Sequence, residues 1–294
     1  IPEKYFDIKP HWEIGEELNL LDLEAGTQVT GRGFIVFRND GALLSRALVN
    51  LMLDMHRAQG YEEILVPYLA SRDSMIGTGQ LPKLEEDMYH CEVDDLFLIP
   101  TSEVPLTNIY RRSSLSFDNL PIKLTTYSPC FRREAGSYGT DTRGLLRVHQ
   151  FDKVEMVKFV HPDESYDELE KLVVDAAEVI EALELPYRVV SLCTGDLSFS
   201  AAKCYDLEVY SPGVGKWLEV SSCSNFEAFQ ARRAGIKLKK TPGEKHKFVH
   251  TLNGSGLALP RIIAAIFECH QTPTHRIKLP QKLVPYMNGK EYLG

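Results

Sequence analysis

The chain has 294 residues, 44% hydrophobic and 25% charged, a globular balance that excludes a disordered, fibrous or low-complexity protein. A net charge of −8 excludes a globally basic nucleic-acid binder, so a phosphate-rich partner needs a local patch or a separate part of the protein. Six scattered cysteines without a CxxC pair exclude a zinc ribbon and read as reduced thiols. With no apolar run of about 18 residues and no signal-peptide core, the expected address is cytoplasmic, an organellar matrix being the alternative.

Residues 1–30 are mixed and polar. The first clear helix follows Asn39-Asp40, a reasonable cap, with Leu44, Leu48, Leu51, Met52 and Met55 at helical spacing and Gly60 as its stop. A short strand, Ile64-Leu65-Val66, is closed by Pro67. Strand-like segments dominate from about 97 to 160. A second helix begins at Ser165, where Ser165 and Glu168 form a capping-box pattern; Leu169, Leu172, Val173, Ala176, Val179, Ile180 and Leu183 line its buried face. Tyr205–Tyr210 and Trp217–Val220 flank a Pro-Gly turn and read as a hairpin. The last helix starts near Pro260, a first-turn proline. Strands clustered between helices without βαβ alternation predict an α+β fold, a mostly antiparallel sheet flanked by helices, in one domain over 1–294.

The chemistry concentrates on a few segments. In the strand His149–Phe159, Phe151, Lys153 and Glu155 share a face. A ring and two opposite charges suit a pocket that stacks a flat group and binds an ion; a solvated face with a salt bridge is the plainer alternative. Upstream, Arg132 and Glu134 point to one side, and Arg147 precedes the next strand. Two strands joined by a glycine-containing loop, with arginine forks at their facing ends, would make a phosphate clamp. No GxxxxGK[ST] or GxGxxG is present, so neither a P-loop nor a Rossmann site is supported.

Phe131-Arg132-Arg133-Glu134-Ala135-Gly136, with Asp141-Thr142-Arg143-Gly144-Leu145-Leu146-Arg147-Val148-His149-Gln150-Phe151-Asp152-Lys153-Val154-Glu155, resembles motif 2 of the seryl-tRNA synthetases. Thr101-Ser102-Glu103 resembles that family's serine-site segment, and Glu219-Val220-Ser221-Ser222 followed by Phe229-Gln230-Ala231-Arg232-Arg233 resembles its metal and ATP strand. Thr251 to Arg261 resembles motif 3, and Gly60 to Pro67 with the preceding helix resembles motif 1. Pro260 stands where the family often has glycine, a change that a helix's first turn tolerates.

The resemblance implies the class II aminoacyl-tRNA synthetase catalytic fold, serine activation by ATP, and transfer of the seryl group to tRNA(Ser). It implies a serine pocket of Thr101, Ser102, Glu103, Arg132, Glu155, Asn253 and Ser255. It implies ATP contacts from Arg132, Arg133, Glu134, Arg147, Val148, Phe151, Lys153, Glu219, Val220, Ser221, Ser222 and Arg261, and Mg²⁺ on Glu219 and Ser222. Arg132, Glu155 and Arg261 are the expected catalytic residues. Glu219 and Ser222 are three apart, so strict alternation would pair Glu219 with Ser221; a bulge or strand end would resolve this.

Motif 1 implies a homodimer. Family members normally begin with a long coiled-coil arm of roughly a hundred residues, whose heptads would be obvious; the expectation is a catalytic domain without that arm, charging tRNA weakly. The basic stretch from Ala231 to Lys247 is a candidate tRNA contact, a solvated loop being at least as good a reading. The alternatives are an aminoacyl ligase for a carrier protein, whose family tends to place a zinc-binding cysteine where Thr101 stands, and a non-enzymatic paralogue.

Overall fold

The structure is a computed structural model that describes residues 5–135, 143–239 and 247–294. The motif 2 loop residues Gly136, Gly139, Asp141 and Thr142, and Lys240, Pro242, Gly243, Glu244 and Lys245 of the basic stretch, lie outside the described residues. Eight α-helices occur among those described: α1 (His11–Glu17), α2 (Leu23–Val29), α3 (Asn39–Ala58), α4 (Arg72–Thr78), α5 (Glu103–Asn108), α6 (Ser165–Ala182), α7 (Phe229–Ala234) and α8 (Leu259–Cys269). None of them is long and apolar enough to cross a membrane.

The periodic segments fold as their patterns dictate, while their ends depart from expectation. Leu44, Leu48, Leu51 and Met52 of α3 are buried, and Gly60 adopts a φ of 88° just past the helix, the left-handed geometry that a glycine permits. The cap position of α3 falls on Arg38, and no side chain caps it. The capping box at Ser165 does not form. The Ser165 hydroxyl donates to the Pro162 carbonyl at 3.2 Å, and Glu168 turns to Lys158 and Lys171, because ion pairs with two ammonium groups outweigh one backbone contact. Pro260 sits in the first turn of α8.

Seven strands build the central sheet: β1 (Glu62–Glu63), β2 (Ile122–Phe131), β3 (Gln150–Val160), β4 (Tyr187–Ser191), β5 (Lys203–Ser211), β6 (Lys216–Asn225) and β7 (His250–Ala258). Their spatial order is β4-β5-β6-β7-β3-β2-β1, antiparallel throughout except for the β2–β1 pair. The edge strand is Glu62–Glu63 rather than Ile64–Val66; the Ile64 amide still bonds the Thr125 carbonyl at 2.8 Å, but Pro67 has no N–H to continue the ladder. The 97–160 stretch is not all strand, since α5 interrupts it around Pro105.

Alternation along β3 explains how one strand serves a core and a site. Val154, Met156 and Val160 face a hydrophobic layer formed with α3, α6 and α8. On the opposite face, Phe151, Lys153 and Glu155 precede Val157 and Phe159, which enter a second apolar cluster with Leu106 of α5 and Ala231 and Ala234 of α7. The helical layer thus covers one face, and the polar half of the other face is left as the floor of a cleft.

Two bulges tune which side chains reach that floor. Opposite β5, Leu207 pairs with Ser221 and Glu208 with Glu219, so Val220 is an extra residue in β6. The inserted residue shifts the parity, and Glu219 and Ser222 both line the cleft, as a bulge was expected to allow. Opposite β3, Ser255 pairs with Glu155 and Leu257 with Val154, which makes Gly256 the extra residue of β7.

Candidate active site

The cleft has a volume of about 580 Å³ and lies over β3, β5, β6 and β7. At its deep end stands the buried carboxylate of Glu103, at the start of α5; Glu155 on β3 is fully buried and bonds residues of the lining without lining the cleft itself. Asn253 on β7 bridges them, its amide donating to Glu103 Oε2 and Glu155 Oε1 at 3.1 Å each. Lys153 forms an ion pair with Glu155 and donates to the Thr101 hydroxyl at 2.9 Å; that hydroxyl donates in turn to Glu155 at 2.9 Å. The other oxygen of Glu103 accepts from the Gln230 amide, which is oriented by Thr251 at 2.7 Å.

Two carboxylates and one ammonium leave this end one positive charge short. Its consequence falls on Glu103, whose carboxyl is pushed up to about 7, first by burial and then by the charge of Glu155, against the opposing pull of Gln230, Lys153 and Arg132. A buried acid poised near neutrality with its partners in place suits a ligand bearing an ammonium group.

The walls carry the opposite charge. Arg132 follows β2, donates to the Pro100 carbonyl at 3.3 Å and lies 5.1 Å from the Phe151 ring centroid. Arg147, just before β3, pairs with Glu134 at 2.5 Å. Arg261, in the first turn of α8, donates to the Leu146 carbonyl at 3.1 Å and the Glu219 carbonyl at 2.7 Å, with the Glu219 carboxylate at 3.4 Å. Val148 and Ser255 also line the cleft. Three guanidinium groups around a flat ring, above a cation-deficient floor, can hold an anionic nucleotide beside an amino acid.

Four expected contacts turn their side chains elsewhere. Ser102 bonds the Ser128 hydroxyl at 2.6 Å and is fully buried, since the turn into α5 faces it toward β2. Arg133 alternates away from Arg132 and Glu134, donating to the Met88 carbonyl at 2.9 Å and stacking on Tyr89. The bulge sends Val220 into the core and Ser221 inward, where its hydroxyl meets the Ser255 carbonyl at 2.6 Å.

Sequence reasoning missed Gln230 as a partner of Glu103, and it missed Asp206 on β5, which lines the cleft opposite Ser222. Asp206 could have been found by extending the hairpin register from Tyr210/Trp217 toward Ser222. Its carboxyl is raised, first by burial and then by Glu219. The hard oxygens of Asp206, Glu219 and Ser222 fit a divalent cation, which would relieve that repulsion.

This sheet, with arginines on either side of the β2–β3 connection and on the helix after β7, defines a class II aminoacyl-tRNA synthetase core, and residues 88–270 match the family of tRNA synthetase class II core domains for G, H, P, S and T. The serine–tRNA ligase of Geobacillus sp. (strain WCH70) is 57% identical over 289 residues, covering 98% of this chain and 68% of that protein. The one from Geobacter sulfurreducens is 57% identical over 290 residues, covering 98% and 69%. The chain belongs to the seryl-tRNA synthetases. Seryl-tRNA synthetase from Pyrococcus horikoshii, complexed with ATP, superposes with a TM-score of 0.95 at 39% identity, covering 99% of this chain and 65% of that one. Cytoplasmic serine–tRNA ligase from Naegleria fowleri in complex with AMP gives 0.93 at 33% identity, covering 100% and 69%. The chain therefore spans about two thirds of the length of these relatives.

Proposed function

We propose that this chain activates L-serine with ATP, forming seryl-adenylate, and passes the seryl group to tRNA(Ser) as a homodimer in the cytoplasm. The observation that carries the reading is the buried Glu103–Asn253–Glu155–Lys153–Thr101 cluster, one positive charge short, beneath the arginine-lined walls. The serine ammonium supplies the missing charge. Its hydroxyl is small enough to reach Thr101 and the carboxylates, and an amino acid lacking a hydroxyl leaves a buried acceptor unpaired.

In the first step a serine carboxylate oxygen attacks the α-phosphorus of ATP; the new P–O bond forms as the bond to pyrophosphate breaks, and the leaving group takes the electron pair. Arg132 sits between the amino-acid end and the Phe151 platform, placed to orient the carboxylate against the α-phosphate and to neutralise charge as it develops. Phe151 stacks the adenine, Glu134 and the Val148 backbone read its edge, and Arg147 and Arg261 hold the outer phosphates once they exchange Glu134 and Glu219 for nucleotide oxygens. Mg²⁺ would be held by Glu219 and Ser222 with Asp206 beside them, and would supply positive charge against that of the nucleotide. In the second step a terminal ribose hydroxyl of the tRNA attacks the seryl carbonyl, and AMP leaves. The net charge of −8 gives tRNA little long-range attraction, so these 294 residues charge tRNA weakly while forming adenylate well.

Pyrophosphate exchange across all twenty amino acids is the test. Serine alone should support it strongly; exchange with another amino acid, or with none, refutes the reading.

A further inference from the structure

Behind the nucleotide end of the cleft lies a buried polar cluster that the reaction above does not use. His11, the first residue of α1, and Glu268, near the end of α8, are both fully buried. The His11 ring places Nδ1 at 2.7 Å from Glu268 Oε1, and the His11 backbone N–H donates to the same oxygen at 3.0 Å. The second carboxylate oxygen accepts from the Ser211 hydroxyl and from the Gly213 N–H. Four donors therefore fill this carboxylate.

The other ring nitrogen, Nε2, accepts the backbone N–H of Leu145 at 3.0 Å. A backbone donor at Nε2 requires a lone pair there, which leaves the ring proton on Nδ1 for Glu268. The pair thus has a fixed tautomer and one outward function, holding the Leu145 amide. The approach is close enough to dictate the preceding residue: Gly144 has a φ of +66°, and a Cβ on it would lie 2.4 Å from His11 Nε2. The Arg143 guanidinium lies 4.7 Å from the Trp12 ring centroid, on the residue after His11.

Beyond Leu145 the chain becomes the nucleotide wall. The Leu146 carbonyl receives Arg261 Nε, Arg147 pairs with Glu134, and Val148 lines the cleft. Leu145 is buried, so its amide has no water to turn to if Nε2 is lost, and an unsatisfied buried donor drives the local backbone to rearrange. We infer that the His11–Glu268 pair is a positioning device for the ATP end of the cleft, fixing the 145–148 segment and, through the Leu146 carbonyl, the Arg261 guanidinium. The inference rests on the ATP reading above. It assigns nothing to the serine end, whose contacts involve none of these residues.

Two substitutions separate the ring's roles. His11→Asn keeps a donor where Nδ1 sits and offers Leu145 no acceptor; His11→Gln places a carbonyl oxygen where Nε2 sits. In serine-dependent pyrophosphate exchange, His11→Asn should raise KM for ATP about tenfold, the loss of one buried hydrogen bond. KM for serine should stay within about twofold, and His11→Gln should recover most of the ATP effect. Calorimetric titration of each variant with ATP alone should give the same order of affinities. That arm does not depend on serine: absent exchange in the unsubstituted protein would refute the functional reading, whereas the ATP titrations would still decide this one. Should His11→Asn fail to fold, Glu268→Gln, which keeps the shape and removes one accepting oxygen, should weaken ATP in the same selective way. Unchanged ATP affinity in the folded variants, an equal rise in both KM values, or His11→Gln no better than His11→Asn would overturn the inference.

Discussion

The raised carboxyl of Glu103 makes serine binding a function of pH, with a sign and size set by the site. In the free protein burial and the neighbouring Glu155 charge push this acid up to about 7, while an incoming ammonium needs it ionised. If only the ionised form binds serine, the apparent affinity scales with its fraction, about nine tenths at pH 8 and about one tenth at pH 6. KM for serine, measured by pyrophosphate exchange at saturating ATP, should therefore rise about tenfold between pH 8 and pH 6. Glu103→Gln, neutral at every pH, should bind serine poorly and lose this slope. The stability of the free protein should run the other way. A carboxyl raised on folding binds more protons when folded, so stability falls as pH rises from 4.5 toward 7, by up to about 3 kcal/mol, and levels off above. A serine KM that is flat between pH 8 and pH 6, or that changes equally in Glu103→Gln, would refute the assignment of Glu103 to the ammonium.

Glu155→Ala strands the buried Lys153 ammonium, a loss of about 3–5 kcal/mol. Serine kcat/KM should fall by two to three orders of magnitude in exchange assays while ATP titrations change less than about threefold; near-normal exchange would remove Glu155 from the pocket. Arg132→Lys keeps the charge and loses the planar fork, so kcat should drop about a hundredfold with a smaller change in KM for ATP; an intact kcat with a raised KM would assign Arg132 to ground-state binding only. Asp206→Asn should raise the Mg²⁺ concentration for half-maximal exchange about tenfold, a shift of one weakened ligand interaction; an unchanged Mg²⁺ profile would exclude Asp206 from the metal site.

The helices were legible because their apolar spacing is the physical cause of their burial: the stripe along Leu169 to Leu183 faces the core in α6. Their ends were less so. A capping pattern at Ser165 and Glu168 is a local signal, and it lost to the distant ammonium of Lys158, a partner that exists only once β3 and α6 pack. The same rule governs the site. Phe151, Lys153 and Glu155 could be put on one face by counting in twos, and Glu219 with Ser222 could be reconciled by a bulge. Whether Arg133, Ser102 or Ser221 turns toward the cleft depends on which neighbour offers a better partner, the Met88 carbonyl, Ser128 and the Ser255 carbonyl respectively. Gln230 and Asp206 approach the cleft from α7 and β5, and tertiary pairing alone brings them there.

The extra residue at Val220 also sets how this strand tolerates length changes. Excising it would leave Ser221 opposite Leu207 and Glu219 opposite Glu208 in an uninterrupted ladder, with Glu219 still on the face of Ser222 and Leu218 still against the helical layer. What would be lost is the Val220 side chain from that layer, and the bend that a bulge puts into a strand. A protein engineer could therefore shorten this strand at the bulge without turning the carboxylate away from the nucleotide floor.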